Sequence, residues 1–376
     1  MKIGIDCRRI LHKHNETAGV GTYTYNIIKS ILDLDKQNNY VLFFYNNKIY
    51  FPEFAKYENV EMVYLPRVDD FGRVPFFYNH VYVPYVLKKY KLDLYHNPAN
   101  IIPLLYNKAS VITVHDLAIY KNADWFPGKQ SFNLKLLMPY SFKKAKKIIA
   151  VSQSTKNDLI ELFKIKQQKI SVIPEGVEDY KKVKINEDEI KSEIKFNNSY
   201  FLFIGTIEPR KNINSLLKAF KEFVEKTNNK KIKLVMAGKK GWKYEQIFKL
   251  MSDLDLGDQI KYLGYVSLEE KIYLLKNAFC FIFPSYYEGF GLPVLEAMNL
   301  GVPVITSNIS SIPEFASHNS LLINPHDYLT ITKAMVKIYN DKDLRKKLSE
   351  KGKVIADQYN WKKAAQKTID LYNQTK

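Results

Sequence analysis

EGFGLPVLE, residues 288–296, places two carboxylates eight positions apart around a glycine-rich turn. It follows an apolar run, FCFIF (279–283), and Pro284. Pro293 then stands where a helix would begin, a favoured first-turn position. A strand, a glycine turn and a helix start in succession are the unit of an α/β fold. The exposed N–H groups of Phe290, Gly291 and Leu292, with the helix dipole, form an anion site. Each dipole contribution is worth only about 0.3–1 kcal/mol at exposed positions. Pairing with that dipole explains Glu296 but not Glu288. Carboxylates accept hydrogen bonds and sugar hydroxyls donate them in neighbouring pairs. The two acids therefore suit two different sugars flanking a phosphate: Glu288 the transferred sugar, Glu296 the ribose of a nucleotide.

Working outward, short β-branched or aromatic runs alternate with longer amphipathic stretches. Strand candidates are 2–6, 40–45, 61–65, 92–95, 111–114, 147–151 and 170–173, then 200–204, 232–237, 260–263, 279–283, 302–306 and 320–323. A polar stretch from Glu175 to Asn198 separates the two series. Two complete series in 376 residues predict two Rossmann-like α/β domains facing each other across a cleft. The expected boundaries are 1–177 and 178–359, with a terminal helix over 360–376 packing back on the first domain. Ser267 and Glu270 have the spacing of a capping box, and Gly301 that of a left-handed helix cap. Ile27, Ile28, Ile31 and Leu34 form one expected helix face, and Trp361, Ala365, Thr368 and Tyr372 another.

Ligands of open α/β sheets bind beyond the carboxyl ends of strands, and three further strand-end segments carry candidates. Gly19 and Gly21 in AGVGTY stand ahead of a helix, where glycine lets backbone N–H groups approach a phosphate. His115 in TVHD can donate to a sugar hydroxyl or a phosphate; His96 is similarly placed with less support. In GTIEPRKN, Gly205 leaves room for a ligand, and Arg210 and Lys211 project opposite charge at a diphosphate. Bland alternatives exist for each: a structural turn, a capping histidine, surface filler.

The ordered set AGVGTYTYNII, VITVHDLAIY, AKKIIAVSQSTKNDLI, ISVIPEGV, FLFIGTIEPRKNINSLLKAF, VMAGKKGW, YLGYVSLEEKIYLL, EGFGLPVLE and EAMNLGVPVITSNISSIPE resembles retaining glycosyltransferase family 4, enzymes of the GT-B fold. The resemblance spans nearly the whole chain. The versions IEPRKN and GKKGW look most like bacterial O-antigen and capsule mannosyltransferases and rhamnosyltransferases. That implies GDP-mannose as donor, a saccharide or lipid-linked acceptor, and a role in cell-surface polysaccharide biosynthesis. It further implies Arg210 and Lys211 on the donor diphosphate, Glu288 on the donor sugar and Glu296 on the ribose. Gly289 and the backbone at Phe290, Gly291 and Leu292 would meet sugar and phosphate, and Gly264, Tyr265 and Val266 would line the base pocket. Gly19 and Gly21 would lie near the diphosphate and His115 beside the reacting sugar. Glu175 in IPEGV stands where many relatives have Asn, and no chemistry is assigned to it. The implied chemistry is front-face attack with the leaving phosphate helping to deprotonate the acceptor, requiring no metal and no cofactor. Asp253-Leu-Asp255 and Asp341-Lys-Asp343 have the spacing of a metal motif but fall in helix-end contexts.

The formal charge is +18, almost all from lysine: only six of 57 basic residues are arginine. Such a balance favours anionic partners. Trp125 to Asn157 carries seven lysines and no acid, and Phe71 to Leu92 is also acid-free. Basic residues interleaved with Phe, Tyr and Leu suit an anionic membrane surface, with Lys143, Lys144, Lys146 and Lys147 as the facing charges. Two cysteines without pairing or metal spacing fit a reducing cytosol. With no run of ~18 apolar residues and no signal-peptide core, the expectation is a cytoplasmic protein, either free or peripheral on the inner face of the plasma membrane. The alternatives are a glycogen-synthase-like or phosphorylase-like α-glucan enzyme, or a basic nucleic-acid-binding protein. The latter leaves the ordered donor set unexplained, so nucleic acid is not expected as a partner.

Overall fold

The computed structural model describes all residues except 11–18, 47–50, 68–74, 127, 195–198 and 376, and all their side chains except those of 128–134 and 192–194. The chain divides into two compact units. The first comprises 1–121, 128–176 and 361–376, the second 122–127 and 177–360.

The first unit is built on seven strands: β1 (Lys2–Asp6), β2 (Asn39–Tyr45), β3 (Val60–Leu65), β4 (Leu94–Asn97), β5 (Ser110–Val114), β6 (Lys147–Ala150) and β7 (Ile170–Val172), in the order β3-β2-β1-β4-β5-β6-β7. The second has six: β8 (Tyr200–Ile204), β9 (Lys233–Ala237), β10 (Ile260–Tyr262), β11 (Cys280–Phe283), β12 (Val304–Ser307) and β13 (Leu321–Ile323), in the order β10-β9-β8-β11-β12-β13. Neighbouring strands run parallel throughout. Parallel strands covered on both faces read as continuous apolar runs; every residue of β5 and β11 is accordingly buried. Both units are Rossmann-like. Each strand order reverses once, between β1 and β4 and between β8 and β11, and crevices at such reversals are where ligands bind.

Each sequence-predicted strand has an observed counterpart, with ends differing by at most two residues. The helix faces need one correction. In the helix Gly19–Leu34 the buried residues include Ile27, Ile28, Ile31 and Leu32, while Leu34 is exposed. Leu32 lies one turn after Ile28 and continues the stripe, which Leu34 does not. The last helix, Trp361–Asn373, buries Trp361, Ala365, Thr368 and Tyr372 and packs on Gly19–Leu34 within the first unit.

Two segments go beyond the sequence reading. The polar stretch after Glu175 carries a short 3-10 turn, Tyr180–Lys182, and a helix, Glu187–Ile194; its residues 195–198 lie outside the described ones. Asn122–Pro127 belongs to the second unit although both its flanks belong to the first. There Trp125 stacks on Tyr286 at 6.0 Å with ring planes 6° apart. Phe126 lies 5.5 Å from Trp242, whose Nε1 donates to the Trp125 carbonyl.

Candidate active site

The loops leaving β8 and β11 meet at the switch point of the second unit. After β8 the chain makes a 3-10 turn, Pro209–Lys211, and enters the helix Ile213–Thr227 through Asn212 in the left-handed conformation (φ 57°). Asparagine tolerates that region better than most residues. Its Nδ2 donates to the carbonyls of Pro284 (3.1 Å) and Pro325 (2.7 Å), fastening this turn to the end of β11. Arg210 and Lys211 thereby arrive beside Glu288. Lys211 Nζ lies 2.6 Å from Glu288 Oε1 and Arg210 Nη1 3.1 Å from Glu288 Oε2. Arg210 also donates to the Tyr287 carbonyl (2.9 Å) and grips Glu208 through Nη2 (2.9 Å).

Two cations thus face two carboxylates, with Glu208, Lys211 and Glu288 all buried. Burial alone would push the Glu288 carboxyl up; Lys211 and Arg210 outweigh it and hold the group below the ordinary carboxylate value. Burial raises Glu208 despite its cationic neighbours. Lys211 is pulled below an ordinary lysine by burial and by Arg210 beside it. The sequence reading gave Glu288 to the sugar alone. In the structure it is also the counter-ion of both proposed diphosphate cations, so those roles are coupled.

Gly291 (φ 100°) begins the helix Leu292–Asn299. A Cβ there would stand 2.3 Å from Ile312 Cδ1, so only glycine fits both the backbone and the space. No side chain caps this helix. Pro293 has no N–H and Val294 N donates back to the Gly291 carbonyl (3.0 Å), so in the first turn it is the Leu292 N–H that lacks an intrahelical partner. Serines after β12 hold the turn. Ser310 Oγ accepts from Glu288 N (3.1 Å), and Ser311 Oγ donates to the carbonyls of Glu288 and Phe290 (both 2.9 Å). Gly289 lies between these anchors. The Phe290 ring points inward against Phe315 and Tyr359, which leaves its backbone as the part that can meet a ligand.

Glu296 is buried in the second turn of the helix, one turn further along than a first-turn acid. Its Oε1 accepts from Tyr180 (2.8 Å) and pairs with Lys271 Nζ (2.6 Å), while no described residue bonds Oε2. Tyr180 and Lys271 thus orient the carboxylate through one of its oxygens.

The strand-end glycines converge independently. Gly264 (φ 75°) presents its carbonyl to Gly238 N at 2.6 Å. Gly238 (φ 138°) approaches Gly205 so closely that a Cβ would lie 2.0 Å from the Gly205 carbonyl oxygen. Gly205, Gly264, Tyr265 and Val266 therefore share one edge of the second unit. The exposed Tyr265 ring carries Lys239 Nζ 4.7 Å from its centroid.

In the first unit, Gly19 and Gly21 lie inside the first turn of their helix, not ahead of it, and the preceding 11–18 fall outside the described residues. One turn on, the Tyr23 ring stands edge-on to His115 at 4.6 Å. His115 has both ring nitrogens engaged: Nδ1 with Glu175 Oε1 at 3.0 Å, Nε2 with the Pro98 carbonyl at 2.9 Å. This differs from the expected free donor, and it gives Glu175 the role that the sequence reading withheld. His96 is a core residue, bonded to Tyr372 (2.6 Å) and Thr113 (2.9 Å). Burial and repulsion from His115 pull it down to about 3, so it is neutral.

The sequence profile described as "Glycosyltransferase Family 4" matches residues 17–180, and that described as "Glycosyl transferases group 1" matches 184–372. The chain belongs to glycosyltransferase family 4. Over 77% of its length this glycosyltransferase is 31% identical to O-antigen chain mannosyltransferase B of Escherichia coli, covering 76% of that protein. It is 33% identical over 60% of its length to O-antigen chain mannosyltransferase RfbU of Salmonella typhimurium, of which it spans 59%. In fold it is similar to the crystal structure of HepE from Anabaena in complex with UDP-glucose (TM-score 0.76, 16% identity, all of both chains covered).

Within this glycosyltransferase the two Asp-x-Asp segments serve helix ends. Asp253 closes the helix Glu245–Asp253, and Asp255 occupies a left-handed turn. Asp341 caps the helix Lys342–Ala356 by accepting from Leu344 N at 2.8 Å. The partners sequence reasoning missed, Glu208, Tyr180, Lys271, Asn212 and Glu175, differ in legibility. Glu208 lies within the IEPRKN segment and was open to notice; nothing local marks Tyr180 or Lys271.

Proposed function

We propose that this glycosyltransferase moves mannose from GDP-mannose, with retention of anomeric configuration, to a saccharide or lipid-linked acceptor in cell-surface polysaccharide synthesis. The observation that carries the reading is the cluster of the buried Lys211 and Glu288 with the part-buried Arg210, beside an uncapped helix start at the β8/β11 switch point. Electrostatic stabilisation of a leaving group needs fixed donors in a low-dielectric site. Arg210, Lys211 and the backbone N–H groups of Gly291 and Leu292 supply them for a departing diphosphate, which makes a metal unnecessary for that step. Glu288 then accepts from sugar hydroxyls and Glu296 Oε2 from the ribose. The mannosyl donor rests on the O-antigen relatives' names. Boundaries near 177 and 360 would divide an acceptor-binding from a donor-binding domain.

Thermal shifts with GDP-, UDP-, dTDP- and ADP-sugars test the donor. A ligand at 100 times its dissociation constant adds about 2.7 kcal/mol. Stabilisation by GDP-mannose above the others supports the proposal; preference for another base or sugar overturns its donor half.

A peripheral membrane location is a further part of the proposal, supported by a different set of residues from the expected lysines. Lys144 Nζ donates to the Leu104 carbonyl and Lys147 Nζ to that of Gln168, so the four lysines do not form one outward face. Phe76, Phe77, Tyr85, Leu136 and Tyr140 are instead exposed in the first unit, with Lys89 and Lys144 over the Tyr85 and Tyr140 rings. Residues 71–74 of the first acid-free region lie outside the described residues. Among the described residues no helix is long and apolar enough to cross a membrane.

A further inference from the structure

The two partners of His115 are both acceptors. A carbonyl oxygen cannot donate, so Nε2 carries a proton toward Pro98. Nδ1 meets a carboxylate oxygen of the buried Glu175. A neutral ring protonated at Nε2 would aim its Nδ1 lone pair at that carboxylate; a ring protonated at both nitrogens satisfies both contacts. We propose that Glu175 is a positioning residue that holds His115 as a fixed imidazolium, so that His115 serves transfer through its charge and not through a free N–H. This rests on the reading that His115 stands beside the reacting sugar.

The surroundings agree from every side. Glu175 approaches from the segment after β7 and Asp116 follows His115 in the chain. Tyr23 presents its ring from the helix Gly19–Leu34, and His96 from β4 is neutral. Burial works against the charged ring, but the Glu175 hydrogen bond and charge outweigh it and raise His115 above an ordinary histidine. A cation so held persists to higher pH than an unassisted histidine of pKa ~6.5.

The test uses the full chain labelled with nitrogen-15 at histidine, the His115 signals being assigned by their loss in His115→Gln. In the wild type both His115 ring nitrogens should remain protonated at pH 7.5. In Glu175→Gln the Nδ1 proton should titrate at lower pH, while Glu175→Asp, which keeps the carboxylate, should restore part of the shift. A neutral His115 in the wild type, or an unchanged titration in Glu175→Gln, overturns the pairing. Turnover of the best nucleotide-sugar from the donor screen is then followed against pH. For Glu175→Gln, kcat should fall up to tenfold per pH unit above the new His115 value, with the donor KM nearly unchanged and the wild type flat. A uniform loss at all pH values, or a rise in KM alone, would mark Glu175 as merely structural and overturn the catalytic half. Failure of every donor in the screen would count against the proposed function, while the nitrogen signals would still decide the pairing.

Discussion

Replacing Glu288 by alanine should separate the two roles the structure gives it. Lys211 and Glu288 are both buried and lie 2.6 Å apart. Removing one partner of such a pair leaves an uncompensated buried charge, at a cost of about 3–5 kcal/mol. Arg210 keeps Glu208, so the loss belongs at the lower end, about 3 kcal/mol. For a unit of this size that is roughly 6–12 °C in melting temperature. GDP should offset part of it, because its diphosphate can replace the missing carboxylate beside Lys211 and Arg210. The variant should therefore gain more stability from saturating GDP than the wild type does, while transfer is lost. Thermal melts with and without GDP, calorimetry with GDP and a transfer assay cover all three quantities. Adding Lys211→Met should recover stability, since an apolar replacement of a whole buried pair is often neutral. A loss below about 1 kcal/mol, or a fall in GDP affinity matching that of Glu296→Ala, would refute the coupling.

Four other outcomes follow from the same geometry. Arg210→Ala should lower kcat more than it weakens GDP binding, and a rise in KM with turnover intact would exclude the leaving-group role. Glu296→Ala should weaken GDP binding about tenfold, near 1.4 kcal/mol, with Tyr180→Phe losing less; calorimetry on both reads the difference. Because the folded Glu288 carboxyl lies below its ordinary 4.5, its contribution to stability is present above pH 4.5 and disappears as pH falls through the folded value. Glu288→Gln should therefore flatten the acid limb of a melting-temperature profile, and an unchanged limb would contradict the pairing. Replacing Phe76, Phe77 and Tyr140 by serine should release the protein from acidic vesicles, as read by co-sedimentation, with GDP binding unaltered.

The strands were legible because buried parallel strands are written as continuous apolar runs, and VITV and FCFIF state them without reference to anything distant. EGFGLPVLE was legible for a related reason: its glycine turn and helix entry are local geometry, and Gly291 admits no other residue. The capping box also read directly, with Ser267 and Glu270 bonded reciprocally. What sequence could not show were the partners. Glu175 is 60 residues from His115, and Tyr180 is 116 from Glu296. No periodicity encodes such pairings; the sheets bring them together. The lysine cluster misled for the converse reason. Four basic residues adjacent in sequence spread over a helix end and the start of β6, where Lys144 and Lys147 serve backbone carbonyls.

The terminal helix has a consequence for how the protein is made. The first unit includes residues 361–376, and Tyr372 bonds His96 at 2.6 Å in its interior. The unit begun first on the ribosome is therefore completed last, after every strand of the second has emerged. Domains usually fold in order of synthesis, but here the amino-terminal unit must wait with its apolar Ile27 and Ile31 side uncovered. A chain truncated after residue 360 and released should be cut readily by protease in its first 121 residues while 177–360 resists. The order of protection would be the reverse of the order of translation.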